Sequence, residues 1–542
     1  MMLTPLLQAG GVLLLATLPV AAPPSLGTAH LRTSCDPAVG AEFDRAVALL
    51  HSFEYDEARD AFAAVAPKDP RCAMVKWGEA MARYRSLWGR YHAAAGAKAV
   101  AEARALAAAN PATTDREKAY IDAIAEVFSD EAIKASQRED DRPDVEGYSE
   151  PARGGLIKYK EKMAALHAAW PDDDEATVFY ALALNTTARR GDKTRADLRE
   201  CTALLKPLFV KLPDHPGIAH YIIHCSDNPE MAPEALDAAR KYAAIAPASA
   251  HATHMPSHIF AQLGLWDEMV ESNIASMKAA DADHESVCRR LGEKLHAMYY
   301  LAFSLAQTGR LGEARDIVDR ARSSANQACD DEPTMPLAGY VLETGEWGRA
   351  KDVAVQGQPT PVVEGTLWLA IGVGAARTGD LARATLAEQK LAALRDARAA
   401  LPGQMGAKGS EAIRLAVAAW SAHQAGRKDE AERMLREAAD LQDRIGSGNS
   451  VFKPVRELLA DMLMLDGKPA EALVAYRSVL ERQPSRFSAV FGAGSAAYDT
   501  GDRERARRFY EELVRFARGS ERPELVTART RLASLAGAAP RP

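Results

Sequence analysis

The chain has 542 residues, 47% of them apolar and 26% charged, with a formal charge of −7. That length exceeds what one hydrophobic core serves, and the balance excludes a disordered chain. The acidic net charge excludes a general nucleic-acid binder.

At the amino end, Leu6 to Ala22 is apolar except for Gln8 and Thr17. Small residues and two prolines follow, which reads as a signal peptide within residues 1–29, cut after Ala22 or Ala29. The run is short for a bilayer span of about 20 residues, and Pro19 interrupts it. No later segment reads as a membrane span, so a periplasmic or secreted location is expected. The cysteines fit export. Cys35, Cys72, Cys201, Cys225, Cys288 and Cys329 form an even set. The pairs Cys35 with Cys72 and Cys201 with Cys225 would each tie neighbouring helices.

A spaced signature recurs along the chain: a glycine, a bulky or long residue two positions on, and an alanine three further. Gly309, Leu311 and Ala314 show it, as do Gly345, Trp347 and Ala350, and Gly379, Leu381 and Ala384. Gly426, Lys428 and Ala431 follow, then Gly467, Pro469 and Ala472, then Gly501, Arg503 and Ala506. Gly264 and Trp266 fit with Met269 in place of alanine. The steps from Gly345 to Gly379 and from Gly467 to Gly501 are both 34 residues. Glycine suits a left-handed helix end, and alanine a close helix crossing. Trp368, Ile371, Gly372 and Ala375 add a buried helix face.

These features resemble the tetratricopeptide repeat. The resemblance implies an all-α fold, a superhelix of helix pairs (an α-solenoid) over most of residues 39 to 517. Repeats are expected to begin near residues 39, 73, 216, 250, 295, 331, 365, 412, 453 and 487. Residues 92 to 214 read as helical but off-period, with a charged surface loop at Glu139 to Asp144. Residues 282 to 294 read as an insertion, and 519 to 542 as a capping helix with a loose tail. We divide the chain into a unit over 39–310 and an array over 311–518. The segment Leu50-His51-Ser52-Phe53-Glu54-Tyr55, Cys72-Ala73-Met74 with Trp77-Gly78, and the block from His215 onward resemble a group of bacterial exported tetratricopeptide-like proteins. The scaffold hosts many functions, so the resemblance supplies no reaction.

Six of the 13 histidines fall between residues 215 and 258. His220 and His254 are 34 residues apart, and so are His224 and His258. They occupy the fifth and ninth positions of two successive first helices. Asp227 is at the twelfth position, and His251 and His296 are at the second. In this repeat family those positions face the concave groove. A spacing of four puts two imidazoles on one helix face, and packed helices lie roughly 8–10 Å apart. His220, His224, His254 and His258 should therefore converge on one metal ion or a close pair, with His251, His296 and Asp227 in support. Imidazole suits copper, zinc or iron. His51 could join if the superhelix curls back. Pro256 disfavours helix in the residue before it, so His251 and His254 could lie in an extended entry.

Other readings stay open. These histidines could cap helices in a polar interior. The groove could bind an anionic peptide or carboxylate, although Lys or Arg serves better there, or partner proteins more generally. Trp77, Trp88 and Trp170 read as core. The sequence has no phosphate loop, no Gly-x-Gly-x-x-Gly, no Gly-x-Ser-x-Gly and no His-Glu-x-x-His. An enzyme of hydrolytic or oxidative type would therefore depend on the metal itself.

Overall fold

The fold is built by repetition of one local event, a helix that ends on a glycine and turns back into a second helix. In the computed structural model, residues 25–87, 92–136, 150–189, 192–282, 287–326, 329, 332–357, 359–400, 405–446, 451–519 and 521–537 are described. The signal segment to residue 24, Trp88 and the Glu139 to Asp144 loop lie outside the described residues.

The described residues hold helices and no strand. They pair as Gly40–His51 with Tyr55–Val65, Ala73–Tyr84 with Ala93–Ala109, and Asp174–Thr187 with Ala196–Lys211. Asp115–Ala125 packs on Glu150–Ala169. Pro216–Ser226 turns into Leu236–Ile245, Pro256–Leu263 into Trp266–Ala282, and Val287–Gln307 into Leu311–Ser323. The later pairs are Pro361–Thr378 with Leu381–Ala399, Met405–Gln424 with Lys428–Ile445, Val455–Leu465 with Pro469–Leu480, and Phe487–Asp499 with Arg503–Phe516. Pro523–Gly537 caps the end. The chain is an all-α, tetratricopeptide-like solenoid.

The recurring residues do what their spacing predicts. Gly264, Gly309, Gly345, Gly379, Gly426, Gly467 and Gly501 all have φ between 69° and 87°. Ala314, Ala384, Ala431, Ala472 and Ala506 are 0% exposed. Gly501 isolates the conformational part of this requirement, because a Cβ there would meet nothing within 4 Å. Left-handed backbone costs a residue with a Cβ roughly 1–2 kcal/mol. Gly501→Val should therefore destabilise Phe487–Asp499 and Arg503–Phe516 by about that much. Hydrogen exchange checks it. Unchanged protection in those two helices, or a loss spread evenly over the chain, counts against the assignment.

Several boundaries differ from the sequence reading. The helix expected near 295 begins at Val287, so residues 287–294 are helix rather than insertion. Nothing in that stretch breaks a helix except Gly292, and Cys288 is tied to Cys329 by a disulfide. After Gly345 the second helix shrinks to a 3-10 turn, Trp347–Asp352. Gly357, Pro359 and Pro361 follow too soon for a longer one, although Ala350 still packs at 3% exposure. The other disulfides join Cys35 to Cys72 and Cys201 to Cys225. Trp77 is buried and Trp170 partly so, as core residues. No helix among the described residues is long and apolar enough to cross a membrane.

The array curls back on itself. Gly40–His51 packs on Pro216–Ser226, far along the chain. The Trp266 indole donates to the Ser485 carbonyl at 2.9 Å, and the Phe487 amide to Gln307 Oε1 at 2.7 Å. These closures place the three histidine-bearing first helices in the interior.

Candidate metal centre

The histidines stand on helices whose starts are set locally. His215 caps Pro216–Ser226, its Nδ1 accepting from the Ile218 amide at 3.3 Å, and Pro216 occupies the first turn. Ser249 caps Ala250–His254, accepting from the Ala252 amide at 3.0 Å. Pro256 does not leave His251 and His254 extended, as the sequence suggested. Met255 stays helical at φ −53° and ψ −35°, and Pro256 opens the next helical piece, Pro256–Leu263. Proline at a first helical position loses nothing, since its amide would be an orphan there.

The structure sorts the histidines into two triads. His220, His224 and His251 form one, and His254, His258 and His296 the other; within each, ligand nitrogens lie within 4.8 Å of one another. His220 Nε2 is 3.0 Å from His251 Nε2 and 3.1 Å from His224 Nε2. His254 Nε2 is 3.1 Å from His258 Nε2. The rule is the same in both. A pair four residues apart on one first helix is completed by the second-position histidine of the next. The four residues expected to converge on one ion or a close pair are split between the triads, each pair with its own third ring.

Partners on the far side of the rings fix which nitrogen carries the proton. His220 Nδ1 donates to the His51 carbonyl at 2.7 Å, and a carbonyl can only accept. His258 Nδ1 donates to Asp227 Oδ2 at 2.8 Å. His254 Nδ1 donates to Asn273 Oδ1 at 2.8 Å, while the amide end of Asn273 is spent on the Met269 carbonyl. In the neutral form, each of His220, His254 and His258 therefore carries a bare lone pair at Nε2. Those of His254 and His258 point at one another at 3.1 Å, where no hydrogen bond can form between them.

A proton or a metal cation between the rings would relieve this contact, and burial works against the proton. Burial pushes His254 well below its ordinary range, with His296 and His258 adding to it. Burial does the same to His220 and His251, helped by neighbouring imidazoles. Burial takes His224 down to about 3 and His296 down to about 4. The donor set thus fits a soft or borderline cation held by imidazole alone.

Asp227 lies behind His258, not among the Nε2 atoms, and also accepts from Gln262 Nε2 at 3.0 Å. Burial favours its neutral form, but the His258 imidazole outweighs that and keeps the carboxyl low. It orients the His258 ring.

A third buried group, His51, Glu175 and His215, has its hydrogen bonds satisfied without an ion. His215 Nε2 and His51 Nε2 donate to the two oxygens of Glu175, each at 2.9 Å. His51 Nδ1 then accepts from the Tyr221 hydroxyl at 2.9 Å. Burial alone would raise Glu175, yet His51 and His215 hold it well below the usual carboxylate range. Through its carbonyl, His51 fixes His220. A Cβ on Gly217 would lie 2.5 Å from His51 Nδ1, so the helix bearing His220 needs glycine there.

Glu175, Asn273, Phe53 and Tyr300 were not singled out from sequence. Phe53 packs on all three rings of the first triad, with centroids 4.3, 5.5 and 5.7 Å from His220, His224 and His251. Tyr300 does so for the second, at 4.6, 5.1 and 5.1 Å from His254, His258 and His296. Only Tyr300 had a local signal, four residues beyond His296 on one helix.

No protein-family model matches the chain, and no curated protein matches it. Among solved structures, a tetratricopeptide repeat protein from Parabacteroides merdae is similar over 53% of this chain and 98% of its own, at 16% identity and a TM-score of 0.27. The glycine caps, buried alanines and 34-residue steps of the chain itself make it a tetratricopeptide-like array of helix pairs, with two histidine triads on three successive first helices.

Proposed function

We propose that this is an exported metal-binding protein in which each histidine triad holds one transition-metal ion, copper, zinc or iron. The observation that carries the reading is the facing lone pairs of His254 and His258 at 3.1 Å. Nitrogens bound to one zinc at about 2.0–2.1 Å lie roughly 3.3 Å apart when tetrahedral, close to the 3.0 and 3.1 Å from His220 to His251 and His224 and the 3.1 Å between His254 and His258. His220, His224 and His251 would hold one ion, and His254, His258 and His296 the other. Asp227, Asn273 and the His51 carbonyl leave Nε2 of His258, His254 and His220 free of the ring proton. Ions with three protein ligands and open positions would supply Lewis-acid or redox chemistry.

Three disulfides support an oxidising compartment, periplasmic or extracellular. Leu26 and Ala29 pack into the fold, and the Thr28 amide donates to the Asp214 carbonyl at 3.0 Å. Cleavage after Ala22 keeps these contacts, and cleavage after Ala29 removes them.

Metal analysis of the purified mature protein should find close to two ions per chain. His220→Ala with His224→Ala should lose one, and His254→Ala with His258→Ala the other. At the first triad, affinity should hold as pH falls through about 6.5 and be lost only toward the lowered values of its rings, since each ligand must be neutral and burial keeps it so. Protein that stays metal-free after exposure to copper, zinc and iron, and still captures a peptide or protein partner, would transfer the assignment to an interaction scaffold.

A further inference from the structure

The triads share a helical segment. His251 belongs to the first, and His254 and His258 to the second, on successive turns of residues 250–263. Three residues of helix rise about 4.5 Å, so the two ion positions are adjacent, roughly one turn apart.

Each triad has a closed side and an open one. His220, His251 and His254 are buried, at 0%, 7% and 2% exposure. His224 and His258 are half-buried, and His296 is exposed. The open rings are also contiguous. The His224 ring centroid lies 6.1 Å from that of His251, and those of His258 and His296 lie 5.1 and 4.5 Å from that of His254, three residues along the same segment. The buried rings thus form the inner side of this group of histidines, and His224, His258 and His296 the wall that solvent reaches. Phe53 and Tyr300, 5% and 1% exposed, pack on the two triads and belong to the protein side of that wall.

Taking the metal reading as given, we infer that the two triads open onto one recess walled by His224, His258 and His296, where a single small anion bridges both ions. The centre is then one dinuclear site rather than two independent ones. Hydroxide or a two- or three-atom anion fits the class, since the open positions are adjacent and the ligands are neutral. Two dipositive ions on neutral imidazoles leave an excess of positive charge that a shared anion compensates. Asp227 already accepts from His258 and Gln262, one on each oxygen.

Copper and azide test this without any assay of activity. Full-length mature protein is loaded with Cu(II), and metal content, paramagnetic resonance spin count and azide titration are measured. We expect two coppers per chain, one azide per pair, and a spin count falling well below two when azide binds. His296→Ala should keep a single copper with its full spin, and circular dichroism should show it folded, since His296 is open to solvent. Two coppers with full spin and two azides per chain would overturn the shared site and leave the metal reading standing. Protein that takes up no copper at the triads, judged against the His220→Ala and His254→Ala variants, overturns both.

Discussion

Metal-free protein should lose stability steeply as the pH falls below about 6.5, the value an unfolded histidine would have. Burial holds His220, His251 and His254 well below that value, His224 near 3 and His296 near 4. The sign follows from proton counting. Between the folded and unfolded pKa values the unfolded chain binds more protons, so acid favours it and stability rises with pH. The contribution is fully present above 6.5 and is lost as pH falls toward the folded values. At pH 5 each neutral-held ring costs about 2 kcal/mol. Leaving aside His296, which solvent reaches, four such rings approach about 8 kcal/mol, comparable to the stability of a whole domain. The depressed carboxyls of Glu175 and Asp227 titrate at more acid pH and do not offset this. Hydrogen exchange in Pro216–Ser226 and residues 250–263, with urea titrations from pH 8 to 4.5, measures the slope. Bound metal should move the loss to lower pH, because it stabilises only the native, deprotonated ligands. Equal stability at pH 7.5 and 4.5 without metal would show that these rings are not buried as neutral bases.

Arg486→Met should cost about 3–5 kcal/mol in the carboxy-terminal repeats, the usual consequence of stranding buried charge. Arg486 is 1% exposed, its Nε donating to Glu457 Oε2 at 2.5 Å and its Nη1 to Gln483 Oε1 at 3.1 Å. Its Nη2 bonds Glu343, 143 residues away, and Lys453 bonds Glu457 beside it. Glu343 and Glu457 are 2% and 0% exposed, so removing the guanidinium leaves two buried carboxylates with one ammonium. The same guanidinium lies 5.3 Å from the Phe303 ring, on the helix that carries His296. Urea titration and exchange in Val455–Leu465 and Phe487–Asp499 should show the loss, and adding Glu343→Leu should recover part of it. A change below about 1 kcal/mol would mean the cluster is relaxed by water and does not hold the repeats together.

The repeat architecture and two rings of each histidine triad were legible in the sequence, because both are local. Glycine at a positive φ, alanine at a helix crossing and imidazoles four apart act within one helix turn or one hairpin. The 34-residue repetition of two histidine pairs marked His220, His224, His254 and His258 for the same reason. The second-position rule also named His251 and His296, without assigning either to a pair. Met255 shows the limit of a local rule, since tertiary packing kept it helical ahead of Pro256. What the tertiary structure decided is the grouping. The stagger between successive first helices sets His251 against His220 and His224, and His296 against His254 and His258, which resolves into two triads what the spacing suggested as one ion or a close pair. The proton positions were decided there too. His51 meets His220 from 169 residues away and Glu175 from 124, and Asn273 lies on the second helix of the pair that supplies His254. Those contacts depend on how each repeat rotates against the next and on the array closing upon itself, sums of small packing angles that no single stretch of chain encodes.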